Sequence, residues 1–217
     1  VTGFANMVKG MVTGFSQSTG HKESFVNIIP GYVEPSDMAE IKRLAKVMGV
    51  KNVMFPDTSG VLNGPMTGKY EMYPNGGTTV DDLIETGDAV GTVALGEIAS
   101  GPAAKALDTK CKVPCDIIGL PIGLAATDTF IQSLAKMAGV SVPEEINFER
   151  GQLVDVITDM HQYLHGKRVA VAGDPDQVEG LADFLISMDM KPVYIITGTP
   201  GQKWERRMNE KFADLPY

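Results

Sequence analysis

The stretch from Phe25 to Phe55, FVNIIPGYVEPSDMAEIKRLAKVMGVKNVMF, reads as one complete β-α-β unit. Phe25 to Ile29 is a short apolar run closed by Pro30 and Gly31, the pattern of a buried strand. Pro35, Ser36 and Asp37 supply a helix start, and Met38, Ile41, Leu44 and Met48 then recur at helical spacing until Gly49 ends the helix. Lys51 to Phe55 forms the second strand. Strands joined in this way lie parallel with a right-handed crossover, which sets the fold class as α/β.

Downstream the alternation continues. Pro56 to Gly77 is rich in glycine and proline and has no periodicity, so it reads as a long loop of the kind that has a function or covers an interface. Thr79 and Asp82 have capping-box spacing for a short helix. Val90 to Leu95 and Asp116 to Leu120 read as the third and fourth strands, with a helix from Pro102 to Leu107 between them. Phe130, Leu134 and Met137 mark a further helix that Gly139 stops. A long helix is predicted from about Pro143 to His165, with Ile146, Leu153, Ile157, Met160 and Leu164 as its apolar stripe. Arg168 to Ala172, a helix carrying Val178, Leu181, Leu185 and Met188, and Pro192 to Thr197 make a second β-α-β unit.

This organisation predicts Rossmann-like, flavodoxin-like parallel-sheet domains joined by a long helix. The expected divisions are an α/β domain over 1–142, the connecting helix over 143–166, and the start of a second, incomplete α/β domain over 167–217. The first four strands should share one mainly parallel sheet and the last two should belong to another.

Composition narrows the function classes. Of 217 residues, 43% are apolar and 21% charged, which suits a globular protein. The net charge of −8 repels phosphate backbones, so a nucleic-acid partner is not expected. No run of about 18 apolar residues is present, so no membrane span is expected either. The two cysteines, Cys111 and Cys115 in KCKVPC, lack further ligands nearby and read as reduced, partly buried thiols of a cytoplasmic protein.

Several residue groups invite a chemical reading. Gly64 to Gly68 is one residue short of a phosphate-binding loop, and Tyr70 follows Lys69 where Ser or Thr is needed. In GDPD, Asp174 to Asp176 suit a helix start, with Asp174 as N-cap and Pro175 at the first helical position, better than a phosphate site. Asp155 and Asp159 are four residues apart on the long helix, on a face roughly opposite its apolar stripe. Spacing alone makes them a solvated acidic face; two carboxylates do not complete the shell of a hard cation. His161 and His165 share the i, i+4 spacing of a helical metal pair, but H-E-x-x-H is absent. His21 lies in a polar loop, and no nucleophile-histidine set announces itself.

Five strings, NIIPGYVEPSDMAEIKRL, FPDTSGVLNGP, YEMYPNGGTT, LPIGLAATDTF and ERGQLVDVITDMHQYLHGKRVAVAGDPD, occur in one order along the chain. Together they resemble the beta chains of nitrogenase molybdenum-iron proteins, particularly the shorter clostridial and archaeal type. Arg150, Asp155, Asp159, His165, Gly166, Lys167 and Asp174 keep family register in the last string.

The resemblance implies an internal piece of an oxidoreductase subunit that acts as scaffold and interface. Its partners would be the nitrogenase alpha chain, a second beta chain and the iron protein that hydrolyses ATP and delivers electrons. It implies that the cysteines of the P-cluster, an iron-sulfur cluster, lie before Val1, and that the iron-molybdenum cofactor belongs to the alpha chain. No cofactor is therefore expected on this chain alone, and no catalytic residue. It also implies that Asp155 and Asp159 help hold a divalent cation between two beta chains, with the remaining ligands from the other chain. A cofactor-assembly scaffold of the same superfamily is the second reading, and a subunit of the related dark-operative protochlorophyllide reductase a weaker third. A stand-alone flavodoxin-like small-molecule binder is a fourth; it would have a well-formed pocket at the strand ends.

Overall fold

A computed structural model describes residues 1–72, 74–199 and 201–213. The chain opens with α1 (Thr2–Phe15), followed by β1 (Glu23–Ile29), α2 (Pro35–Val47) and β2 (Asn52–Met54). After the long loop come α3 (Val80–Glu85), β3 (Ala89–Leu95), α4 (Gly101–Cys111), β4 (Cys115–Ile118) and α5 (Leu124–Ala138). Then α6 (Glu144–Leu164) leads to β5 (Arg168–Ala172), α7 (Pro175–Ser187), β6 (Lys191–Ile196) and α8 (Gln202–Lys211).

All strand pairs are parallel, and they form two sheets: β2-β1-β3-β4 and β5-β6. The expected division of the six strands between two sheets is what the structure contains. A parallel sheet is covered on both faces by its crossover helices, and β1 is apolar on both faces for that reason. Val26 and Ile28 point into a core completed by Met38, Ile41, Phe130 and Leu134 of α2 and α5. Phe25 and Ile29 point the other way, onto Val8 and Val12 of α1 and Leu107 of α4.

Local signals explain most element ends. Glu34, one residue before the expected start, caps α2 in a reciprocal box with Asp37, and Pro35 takes the first helical position. At the start of α3 the backbone N–H of Thr79 donates to Asp82 Oδ2 and that of Asp82 to Thr79 Oγ1, as their spacing predicts. Gly139 caps α5 in the left-handed conformation.

Four expectations need correction. The chain begins with a helix that the apolar pattern did not single out. Ala5, Val8 and Val12 bury one side of it, but Gly3, Gly10 and Gly14 thin the pattern and weaken the propensity signal. The stripe assigned to the long helix is not a buried stripe: of its members only Ile146 is buried, while Leu153 and Met160 are exposed. On α7, Leu181 is exposed too, and Val178, Ala182 and the following Met188 make the buried contacts. Asp174 is the N-cap residue of α7 by position, yet its side chain makes no capping hydrogen bond. The expectation of an unfinished unit at Tyr217 falls on residues outside those described.

Buried carboxylates tie the first sheet's periphery together. Asp88 accepts hydrogen bonds from Ser18 Oγ (3.0 Å), Thr19 N (2.8 Å) and Thr19 Oγ1 (2.8 Å), fastening the end of the α1–β1 connection beneath β3. Burial pushes the Asp88 carboxyl up, and the Thr19 and Ser18 bonds with the nearby Lys22 charge together outweigh it, leaving it below the ordinary carboxylate value. A carboxyl lowered on folding contributes stability that is present above its unfolded value, about 3.9, and is lost as pH falls through the folded one. Asp57, held down in the same way by Lys42 and Ser59 against its burial, acts in the same direction. Replacing Asp88 with Asn should therefore lower stability at neutral pH by about 1–3 kcal/mol and flatten the loss below about pH 4. Urea midpoints across that range check both; an unchanged acid slope would assign the loss to other groups.

Candidate functional site

In a doubly wound sheet a ligand enters at the carboxyl ends of the strands, where the strand order reverses. Here that point lies between β1 and β3, and the chain fills it. Gly31, just past β1, has φ +88°, and a Cβ there would lie 2.7 Å from the Leu95 carbonyl oxygen at the end of β3. The loop that follows β3 is taken by α7: Asp176 accepts hydrogen bonds from the backbone N–H groups of Ile98 (3.1 Å) and Ala99 (2.9 Å). Asp176 is 9% exposed, and burial raises its carboxyl above the ordinary range despite these two bonds. The sequence reading of Asp176 as an acid favourable to its own helix start was incomplete. No local pattern marks its partners, which lie 77 and 78 residues away.

Beside Asp176 is a cleft of about 710 Å³ between the end of β4 and α7, bordered by Ile117, Leu120, Gly123 and Phe184. Its basic residues are paired with its acidic ones. Arg150 donates two 2.8 Å bonds to Asp128, Arg207 bonds Glu97 and Glu179, and Lys211 bonds Glu179 and Asp183. Charges neutralised in this way do not favour a phosphate-bearing ligand.

The residues singled out on the long helix are accessible. Asp155 and Asp159 are both exposed on α6. Phe148, Val156 and Tyr163, at 65%, 57% and 59% exposure, are open on the same helix. The helix is anchored near its start, where Arg43 of α2 binds Glu149 and Arg150 binds Asp128 of α5. Its second half projects an apolar and acidic surface into solvent. Among the described residues no third close ligand joins the Asp155–Asp159 pair; the group of three is His161, His165 and Asp189. His21 is exposed and stands apart from them.

The two thiols lie at the two ends of the α4–β4 connection. Cys111 is buried at the end of α4, Cys115 is half-buried at the start of β4, and neither is in a disulfide. Burial pushes both thiols up, which disfavours the thiolate that a cluster needs. The loop from 56 to 79 is pinned at its ends, where Thr78 Oγ1 bonds the Met54 carbonyl and accepts from Asp57 N, both at 2.8 Å. Its tip exposes Leu62, Met66 and Tyr70.

Residues 1–215 match the family described as Nitrogenase component 1 type Oxidoreductase. The chain belongs to that family. Within the nitrogenase component 1 family it is 50% identical over 99% of its length to the nitrogenase molybdenum-iron protein beta chain of Clostridium pasteurianum, of which it covers 47%. It is 36% identical over 93% of its length to the nitrogenase vanadium-iron protein beta chain of Trichormus variabilis, covering 43% of that protein. The solved structure titled "Nitrogenase Cp1 at pH 6.5" superposes with a TM-score of 0.94 at 50% identity, over 98% of this chain and 46% of that one. The chain thus spans about half the length of the curated relatives it matches. The fold of this family member is the mixed α/β, parallel-sheet fold of that solved nitrogenase chain. Among the described residues no helix is long and apolar enough to cross a membrane.

Proposed function

We propose that this chain is part of the beta subunit of a nitrogenase molybdenum-iron protein and serves there as scaffold and subunit interface. The observation that carries this reading is α6, whose second half is apolar and acidic yet uncovered. Soluble chains seldom leave Val156, Met160 and Tyr163 open along one helix unless another polypeptide covers them. The partners would be a second beta chain at α6 and an alpha chain elsewhere, with the exposed loop tip at Leu62 to Tyr70 available for contact. The whole cytoplasmic protein would reduce dinitrogen to ammonia with electrons from an ATP-hydrolysing iron protein. In it, residues 1–142 would form one α/β domain, 143–166 the connecting helix and 167–217 the beginning of another domain; the split into two sheets supports that division.

The whole protein would carry a P-cluster and an iron-molybdenum cofactor, but the residues of this chain do not suit either as ligands. Two thiols, one buried and one half-buried and both with raised pKa, are too few for an iron-sulfur cluster. A cation at Asp155 and Asp159 does suit the residues present: both are exposed carboxylates one helical turn apart, acceptor-only oxygens of the type a hard divalent ion takes. The ion would bridge to ligands on the second beta chain.

Replacing both aspartates with Asn in the complete protein should release this cation. It should also raise the dissociation constant between beta chains by about thirtyfold or more, the lower end for truncating a buried interfacial charge pair. Analytical ultracentrifugation with metal analysis measures both, and activity per intact tetramer should change little. Normal assembly with a retained cation and lost turnover would sink the interface role. The stand-alone small-molecule binder is the weaker reading, because Asp176 and Gly31 fill the strand-end position such a protein needs open.

A further inference from the structure

We propose that His161, His165 and Asp189 form a binding site for a divalent transition metal of the zinc class, at the joint between α6 and the β5–α7–β6 unit. The three side chains each offer a ligand atom, and these atoms all lie within 4.8 Å of one another. Asp189 Oδ2 lies 2.9 Å from His161 Nε2 and 3.5 Å from His165 Nδ1. Tetrahedral zinc with bonds of about 2.1 Å separates its ligand atoms by about 3.4 Å, so small rotations of exposed rings complete the geometry. The two rings are tilted by 48° with centroids 5.5 Å apart, so they converge on the carboxylate instead of stacking.

The backbone sets these positions before any ion arrives. His161 and His165 are one turn apart at the end of α6 and share a face. Asp189 is held in the turn before β6: its carbonyl accepts from Gly166 N at 2.8 Å and its N–H donates to Ile186 O at 2.9 Å. Its φ of +53° lies in the left-handed region, which Asp tolerates better than most residues. Two imidazoles and one carboxylate match zinc, nickel, cobalt or copper and not calcium or magnesium, which take oxygen shells. The exposure of all three leaves room for water as the fourth ligand. The site is separate from the acidic pair, since residues 155 and 159 are centred about 120° around the helix from residues 161 and 165. A metal here would fasten the projecting end of α6 to the turn before β6, fixing the direction in which its exposed face points. The inference rests on these three residues and not on the family assignment.

The test is zinc titration by calorimetry on the assembled protein containing this chain, with anomalous scattering across the zinc edge in its crystals. One zinc should bind per chain, in contact with His161, His165 and Asp189. Asp189→Gly removes one ligand while suiting the positive φ, so the fold should persist, and it should weaken zinc binding by about tenfold or more. His161→Asn should do the same, and Asp155→Asn with Asp159→Asn should leave this zinc in place. An anomalous peak that avoids these three residues, or an Asp189→Gly variant that binds zinc as tightly as the parent, would overturn the assignment.

Discussion

Truncating Phe130 to alanine is expected to destabilise the chain by about 3–5 kcal/mol, the range for a fully buried aromatic whose site cannot collapse. Phe130 is 0% exposed on α5 and lies in the core formed by Val26 and Ile28 of β1, Val93 and Leu95 of β3, and Leu134 of its own helix. The strand residues cannot move into the space left behind without breaking parallel pairing with their neighbours. Urea unfolding should show a lower midpoint with the slope preserved. Phe148→Ala on α6 is the matched contrast. That ring is 65% exposed, so its loss should change the stability of the chain by no more than about 0.5 kcal/mol. A Phe130 variant that unfolds with the parent midpoint would mean α5 does not cover the sheet as described.

Asp176→Ala is expected to cost about 1.5–3 kcal/mol per hydrogen bond to a charged acceptor, reduced by relief of the buried charge. The carboxylate is what the N–H groups of Ile98 and Ala99 bond to, so its loss leaves two donors without their acceptor. Around it the contact is close: Gly123 has φ +82°, and a Cβ there would lie 2.8 Å from Phe184 of α7. Asp176→Asn keeps one carbonyl oxygen and should cost less than Ala. Because burial raises this carboxyl, ionising it costs the folded chain more than the unfolded one, so stability falls as pH rises from the ordinary carboxylate value through the folded one, opposite to Asp88, while the two hydrogen bonds offset part of that loss. Hydrogen exchange resolves the local effect: the amides of Ile98 and Ala99 should exchange faster in the Ala variant than in the parent. Unchanged protection at both amides would remove Asp176 from the contact between the β3–α4 loop and α7.

The reading of the first β-α-β unit succeeded because each of its signals is local. A five-residue run with four apolar residues, a proline-led helix with four apolar residues on one face, and a terminating glycine all act within a dozen residues of chain. The capping box at Thr79 and the stop at Gly139 were legible for the same reason. The periodicity of α6 misled because a spacing pattern records that a face is apolar and leaves open what covers it. Leu153 and Met160 carry helical spacing, yet no element among the described residues buries them.

By itself, then, the sequence determined the order of the six strands and of the helices between them, the α/β class, and the family, through strings such as ERGQLVDVITDMHQYLHGKRVAVAGDPD spanning one long helix and the strand after it. Only the tertiary structure decided that Asp176 reaches the loop after β3, that the switch point of the sheet is filled, and that Asp189 joins His161 and His165. The physical reason is separation along the chain. Hydrogen bonds across 28 or 77 residues depend on how helices settle on sheets through apolar packing, which is non-directional and leaves no local pattern at the polar residues it brings together.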